Sequence, residues 1–291
     1  MKVAIIGSNG QLGTDLCKVL GKNILLIPLT HKDIEITKLE SVRYEIKYHL
    51  PDIIINTAAF HRVDDCESDP DHAFRVNALG ARNVAVIAQE LGAKLVHIST
   101  DYVFGGGEPR STPYTEFDQP IPLSIYGKSK LAGEEFVHHL CHRHFIIRAS
   151  GLFGTAGSSG KGGNFVETML RLGKEKPELR VVNDQIFSPT YTLDLAQKIA
   201  ELINTEYYGI FHITNNGFCS WYEFTREIIR LANLPVKVIP ITSDQYPQKA
   251  RRPAYSVLGH YHLRLLGMDN LRSWQEALKA YLVEKGYKRM N

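Results

Sequence analysis

Apolar residues along the first half of the chain fall in short continuous runs, each followed by a stretch with helical spacing. Residues 2–6 form one such run. Residues 11–20 place Leu12, Leu16, Val19 and Leu20 on one helical face. A second apolar run covers 24–29, and a helix over 38–49 is stopped by Pro51. Ile53, Ile54 and Ile55 mark a buried strand over 52–57. A long helical stretch over 70–91 closes at Gly92. Leu95, Val96 and Ile98 mark a strand over 94–99, followed by a helix over 129–140 and a strand over 145–148. Strands alternating with helices of this length predict βαβ units and a parallel sheet. Unbroken Ile, Leu and Val runs suit strands covered on both faces.

The rhythm changes after Gly151. Six of the nine residues in 155–163 are Gly or Ser, which predicts a mobile loop, placed as a flap over the active-site edge. Helices are expected over 164–173, 192–204, 220–233 and 273–285, and strands over 179–182, 209–214 and 236–241. Phe187-Ser188-Pro189 reads as a turn. Ser220 with Glu223 three residues on is the capping-box pattern. The chain therefore reads as α/β, with a Rossmann-type doubly wound parallel sheet over 1–150 that a returning segment at about 190–215 rejoins. A smaller α+β substrate domain is expected from 151–189 and 216–291.

Composition narrows the class without changing this picture. The 291 residues carry 34 basic and 31 acidic side chains, a net charge of +3, with 44% hydrophobic and 22% charged residues. A chain of this length buries a large core, and disorder, collagen and coiled coil are excluded as its main organisation. Basic residues are scattered, with no run beyond Arg251-Arg252, so no nucleic-acid partner is expected. No apolar stretch reaches the ~18 residues of a membrane span, and the start of the chain reads as a strand rather than a signal peptide. Cys17, Cys66, Cys141 and Cys219 form no C-x-x-C pair, so reduced thiols in a cytoplasmic protein are expected. His138, His139, Cys141, His142 and His144 cluster in sequence. His138 and His142 could share a helix face as metal ligands, but a solvated helix end accounts for them as well, and no metal ligand is assigned.

Three motifs carry chemistry. Gly7-Ser8-Asn9-Gly10-Gln11-Leu12-Gly13 lies between the first strand and first helix. Glycines there let the backbone approach a pyrophosphate, which the helix N-terminus then binds. The motif does not by itself separate flavin from nicotinamide dinucleotides. Tyr126 and Lys130 are four apart, hence on one helix face. A phenol titrates near ~10, and a neighbouring ammonium lowers that value, making a proton donor to a carbonyl oxygen. Thr100 and Asp101 end the strand over 94–99, on the edge where open parallel sheets bind ligands. Thr100 could donate to the same carbonyl.

With these motifs, the chain resembles the extended short-chain dehydrogenase/reductases and, among them, the dTDP-4-dehydrorhamnose reductases. Further landmarks are Asn56-Thr57-Ala58-Ala59, Val63-Asp64, Asn77, residues 99–104, Asn183-Asp184-Gln185, Pro189-Thr190 and Arg252-Pro253. The resemblance implies reduction, by NADPH or NADH, of the C4 keto group of dTDP-4-dehydro-L-rhamnose to dTDP-L-rhamnose. It implies catalytic roles for Thr100, Tyr126 and Lys130. Gly7, Gly10, Gln11, Leu12 and Gly13 would hold the cofactor pyrophosphate, Glu35 and Ile36 would lie by the adenine, and Ala58, Ala59, Phe60 and His61 would line the path to the nicotinamide. Asn77 would brace the cofactor site, Lys130 would tune Tyr126 and hold the ribose, and Asp101, Gln185 and Arg252 would join Thr100 in binding the sugar nucleotide.

The alternatives are a 4-ketoreductase for another dTDP-deoxysugar, or a non-catalytic subunit resembling the regulatory subunit of methionine adenosyltransferase. A homodimer is expected. Some relatives bind magnesium through acidic residues at a dimer interface, and the resemblance leaves magnesium open here without assigning its carboxylates. Two positions depart from the family. Gly151 follows Arg148-Ala149-Ser150 where an aromatic is usual, and Phe187 stands where glycine is common. In the turn Leu29-Thr30-His31-Lys32, Thr30 replaces an acidic residue and Lys32 could meet a 2′-phosphate. NADPH is therefore expected to serve at least as well as NADH.

Overall fold

The computed structural model describes residues 1–21, 24–156 and 163–287. Six strands form one sheet: β1 (Lys2–Ile6), β2 (Leu25–Leu29), β3 (Ile53–Asn56), β4 (Lys94–Thr100), β5 (His144–Ala149) and β6 (Gly209–His212). Their order is β6-β5-β4-β3-β1-β2, and every neighbouring pair is parallel. The chain leaves β1 for β2 on one side and resumes at β3 on the other. That reversal opens a crevice at the C-terminal ends of β1 and β3, where such sheets bind ligands. Pro28 is tolerated in β2 because β2 is an edge strand with no further neighbour to receive its missing N–H.

Helices cover both faces. On one side α1 (Gln11–Leu20) packs through Leu12 and Leu16 against the sheet. On the other lie α2 (Leu39–His49), the short α3 (Val63–Ser68), the long α4 (70–91) and α5 (Ile125–Leu140). Within α4, α-helical Pro70–Phe74 and Ala81–Leu91 flank a π-helical turn, Arg75–Gly80. Such turns carry an extra residue and cluster at functional sites. α5 starts before residue 129, its expected beginning. Ser124 caps it by accepting from the Gly127 N–H, which draws Tyr126 into its first turn.

After β5 come α6 (Phe165–Glu175), α7 (Thr192–Leu202), α8 (Trp221–Leu231), α9 (Tyr261–Leu265) and α10 (Trp274–Glu284). α7 returns to the large sheet beside α1, where buried Thr192 donates to Asp15 over 2.5 Å. The remaining elements enclose a separate core of Phe153, Leu170, Tyr191, Phe224, Ile228 and Tyr281. Glu178–Val182 pairs with Lys237–Ile241, and two-residue ladders join Leu152–Phe153 to Thr190–Tyr191 and Ile186–Phe187 to Cys219–Ser220. Segments that short have no readable period, so the sequence does not reveal them.

Because α5 ends at Leu140, His142 lies beyond it and shares no helix face with His138. The His142 backbone N–H instead donates to Gln89, and buried His144 bonds the Cys141 carbonyl. Among the described residues no three His, Cys, Asp or Glu side chains are arranged to hold a metal ion, and no helix is long and apolar enough to cross a membrane. Most of the flap expected over 155–163 lies outside the described residues.

Candidate active site

A cleft of about 720 Å³ follows the C-terminal edge of the sheet, from the turn after β2, past β1, β3 and β4, to the smaller core. At its β1 end Gly7 has φ +82, and the N–H groups of Gly7 and Ser8 both donate to Leu29. A Cβ on Gly13 would run into the Gly7 carbonyl and come within 2.8 Å of the Ser8 Cα. α1 can therefore approach the turn this closely only with glycine there, leaving its first N–H groups aimed at the cleft. This cradle suits a dinucleotide pyrophosphate. Gly13→Val is expected to weaken cofactor binding about tenfold or more, about 1.4 kcal/mol. Titration calorimetry checks this, and an unchanged Kd would contradict the assignment.

Beyond the turn, His31, Glu35, Ile36, His72 and Arg75 line the cleft. The Glu35 carboxylate accepts from the Thr37 N–H and hydroxyl, which holds it below the usual carboxylate range. Lys32 is not among the lining residues; His31, His72 and Arg75 are basic side chains that line this end. Arg75 escaped the sequence reading because the π-helical turn sets which side of α4 it faces. Ala58, Ala59 and His61 line the next stretch, but Phe60 does not. Its N–H donates to the Asn77 Oδ1, and its carbonyl accepts from the Asn77 Nδ2, which also donates to Ser129. Asn77 is thus buried behind the cleft wall. It ties the segment after β3 to α5.

Thr100, Asp101, Tyr126 and Lys130 meet at the end of β4. Lys130 is buried and donates to the Ile98 carbonyl over 2.6 Å. Burial lowers its ammonium to about 8, against the opposing pull of Glu134 one turn further along α5. Burial also pushes the Tyr126 phenol up, while a hydrogen bond with Thr100 pulls it down. The net direction is opposite to that expected of a Tyr–Lys pair alone, because desolvation of the phenolate outweighs the pull of the Thr100 hydrogen bond. Beneath them Arg148 grips Glu134 at 2.6–3.1 Å and Ser99 donates to the same carboxylate, so β4, β5 and α5 are locked together.

Asp101 is buried among three hydroxyls. Thr100 donates over 3.1 Å, Ser150 over 2.8 Å and Ser256 over 2.6 Å. Burial pushes its carboxyl up to about 6. It draws the ends of β4 and β5 and the segment around Ser256 to one point. Ser150 and Ser256 carried no signal in the sequence, since serine is common everywhere and only the fold brings them to Asp101.

Gln185 lines the far end of the cleft and donates to Ser243. Arg252 does not line it. Its guanidinium forks onto Asp64 at 2.8 and 3.2 Å and reaches the Ala250 carbonyl, clamping α3 to the segment that leads to Ser256. Gly151 and Phe187 explain each other. Gly151 has φ +53, and a Cβ there would lie within 2.6 Å of the Phe187 Cδ2. The ring absent at 151 is replaced by one arriving from 187.

A family model, the RmlD substrate binding domain, matches residues 1–286. The chain belongs to that family. It is 45% identical over 285 residues to the spore coat polysaccharide biosynthesis protein SpsK of Bacillus subtilis, covering 98% of both chains. It is 38% identical over 277 residues to a dTDP-4-keto-6-deoxy-D-glucose reductase of Streptomyces niveus, covering 94% of both. Its fold matches that of a dTDP-4-dehydrorhamnose reductase of Bacillus anthracis in complex with NADP, with a TM-score of 0.93 and 46% identity, covering 97% of this chain and 99% of the other. The family is the one to which the glycine turn and the tyrosine and lysine of α5 pointed.

Proposed function

We propose that this chain reduces the C4 keto group of a dTDP-4-keto-6-deoxyhexose, with dTDP-4-dehydro-L-rhamnose as substrate and dTDP-L-rhamnose as product. The observation that carries the reading is the hydrogen-bonded Thr100 and Tyr126, one helical turn from buried Lys130, in a cleft continuous with the glycine turn. A bound nicotinamide dinucleotide supplies hydride to the sugar carbon. Gly7, Gly10, Gln11 and Leu12 hold its pyrophosphate, with Gly13 packed beneath them. Tyr126 gives its proton to the sugar oxygen, and burial keeps the phenol loaded with that proton at neutral pH. Thr100 orients the same oxygen, and Lys130 holds the ribose and offers positive charge as the phenol loses its proton. Solvent returns the proton to Tyr126. The family relationship and the activities of these relatives support this reading.

The test is oxidation of NADPH and NADH with a panel of dTDP-4-keto-6-deoxy sugars, followed by product identification. Turnover of another deoxysugar alone would shift the substrate. NADPH binding with no turnover, while a partner protein co-purifies, would favour the regulatory-subunit reading.

Two further outcomes are expected. The first concerns the cofactor. Asp33, the acid nearest the end of β2, has its carboxylate occupied by the Thr30 N–H and hydroxyl at 2.7 Å. Asp33 does not line the cleft, whereas His31 and Arg75 do and suit a 2′-phosphate. NADPH should serve at least as well as NADH, and Arg75→Ala should raise KM for NADPH more than for NADH. A strong preference of the parent enzyme for NADH in kcat/KM would contradict this.

The second concerns pH. The Lys130 ammonium, lowered from 10.5 to about 8, is present below that pH and lost above it. Because the charged form assists, kcat/KM for the cofactor, which reports the free enzyme, should fall on the alkaline side near pH 8. Lys130→Arg, which does not titrate there, should remove that limb from the remaining activity.

A further inference from the structure

The reacting end of the cleft has one wall made of carbon. Phe187 sits on the short strand Ile186–Phe187, in register with Cys219. Trp221 opens α8 directly after the partner strand, where the Ser220–Glu223 capping box fixes the helix start. The two rings stack with centroids 3.8 Å apart and planes 21° from parallel. One edge of the Phe187 ring lies against Gly151, where any side chain would displace it. Gly151 is two residues beyond Ala149, the register partner of Thr100. Gly151, Leu152, Ile186, Phe187 and Trp221 all line the cleft. The stack sits between a capped helix and bare backbone, and it lines the same cleft as Thr100 and Tyr126, where a hexose whose carbonyl meets those two groups must lie.

We infer that Phe187 and Trp221 receive the carbon face of the hexose, including the methyl group of a 6-deoxy sugar, and thereby select against a 6-hydroxyl. The inference rests on the reading of this cleft as a dTDP-sugar reductase site. A hydroxyl pressed on these rings exchanges water for carbon. An apolar wall rejects such an added hydroxyl only moderately, so the expected preference is on the order of 10²-fold.

The experiment compares kcat/KM for a dTDP-4-keto-6-deoxyhexose and its 6-hydroxy counterpart, in the parent and in Phe187→Leu, Phe187→Ala and Trp221→Leu. Kd values for NADPH and for dTDP without a sugar are measured alongside. The parent should prefer the deoxy sugar by roughly 10²-fold. Phe187→Ala should lose about tenfold of that preference, mostly through KM for the deoxy sugar, while both Kd values stay at the parent's. Phe187→Leu, which keeps an apolar surface, should retain most of it.

An unchanged preference in a Phe187→Ala protein that still binds NADPH would overturn the inference. So would a dTDP Kd that rises in step with KM, since the rings would then be stacking on the base. Should Phe187→Ala not fold, Trp221→Leu carries the same comparison and either outcome counts in the same way. A parent that reduces no 4-keto sugar would instead defeat the reading beneath it.

Discussion

Tyr126→Phe is expected to lower kcat about 10²–10⁴-fold, the usual contribution of a positioned acid, while leaving the Kd for NADPH at the parent's value. The substitution removes one hydroxyl and keeps the ring. Thr100 loses its hydrogen bond to the phenol but still donates to Asp101 and accepts from the Tyr102 N–H, so the end of β4 stays in place. The glycine turn and Lys130 are untouched, which is why binding should survive. Tyr102 is a competing phenol for the role. Its ring meets that of Tyr126 edge-on at 5.9 Å, and it lines the same cleft. Burial pushes its phenol up as well. Tyr102→Phe should therefore be measured in parallel. If Tyr126→Phe turns over dTDP-4-keto sugars at the parent's rate and Tyr102→Phe does not, the acid has been assigned to the wrong phenol.

Lys130→Met should damage both binding and turnover, raising the Kd for the cofactor about tenfold or more, about 1.4 kcal/mol, and lowering kcat by roughly 10². Methionine fills nearly the same volume but brings neither the donor for a ribose hydroxyl nor the charge beside the phenol. Stability should move little. The ammonium is buried, and its lowered value shows that burial disfavours its charge. An apolar replacement of a buried charge is often neutral or stabilising. The Ile98 carbonyl loses its donor, which works the other way. Glu134 keeps Arg148 and Ser99, so no carboxylate is stranded. A thermal melt near the parent's with both kinetic defects is the expected pattern. Parent-like cofactor affinity would show that Lys130 does not reach the ribose, and a collapse of the melt would show that its role is structural.

Much of the site was legible because its motifs are local. A strand, a glycine turn and a helix start follow one another within residues 2–20, and the packing of Gly13 under Gly7 involves only that stretch. Tyr126 and Lys130 share a face because helical geometry relates positions four apart. The parallel sheet was readable from its unbroken apolar runs, since strands covered on both faces need them. Where the reading stopped short, the reason is also physical. Phe60 and Asn77 belong to motifs near the cofactor path, but whether a side chain faces a cleft or the wall behind it depends on the segment packed against it. For Asn77 that segment is α5, whose Ser129 is 52 positions away.

The order of the main helices and strands, the glycine turn and the spacing of Tyr126 and Lys130 were therefore determined by the sequence itself, through interactions that span a few residues. Only the tertiary structure decided the environment in which that chemistry operates. It buries Tyr126 and Lys130, so desolvation sets the direction of both their shifts. It brings Ser150 and Ser256 to Asp101 across 49 and 155 positions. It pairs Arg252 with Asp64, 188 positions earlier. It lays Phe187 over Gly151, converting two separate departures from the family into one exchange of space. Burial and long-range contact are properties of how elements pack, and no spacing along a single chain encodes them.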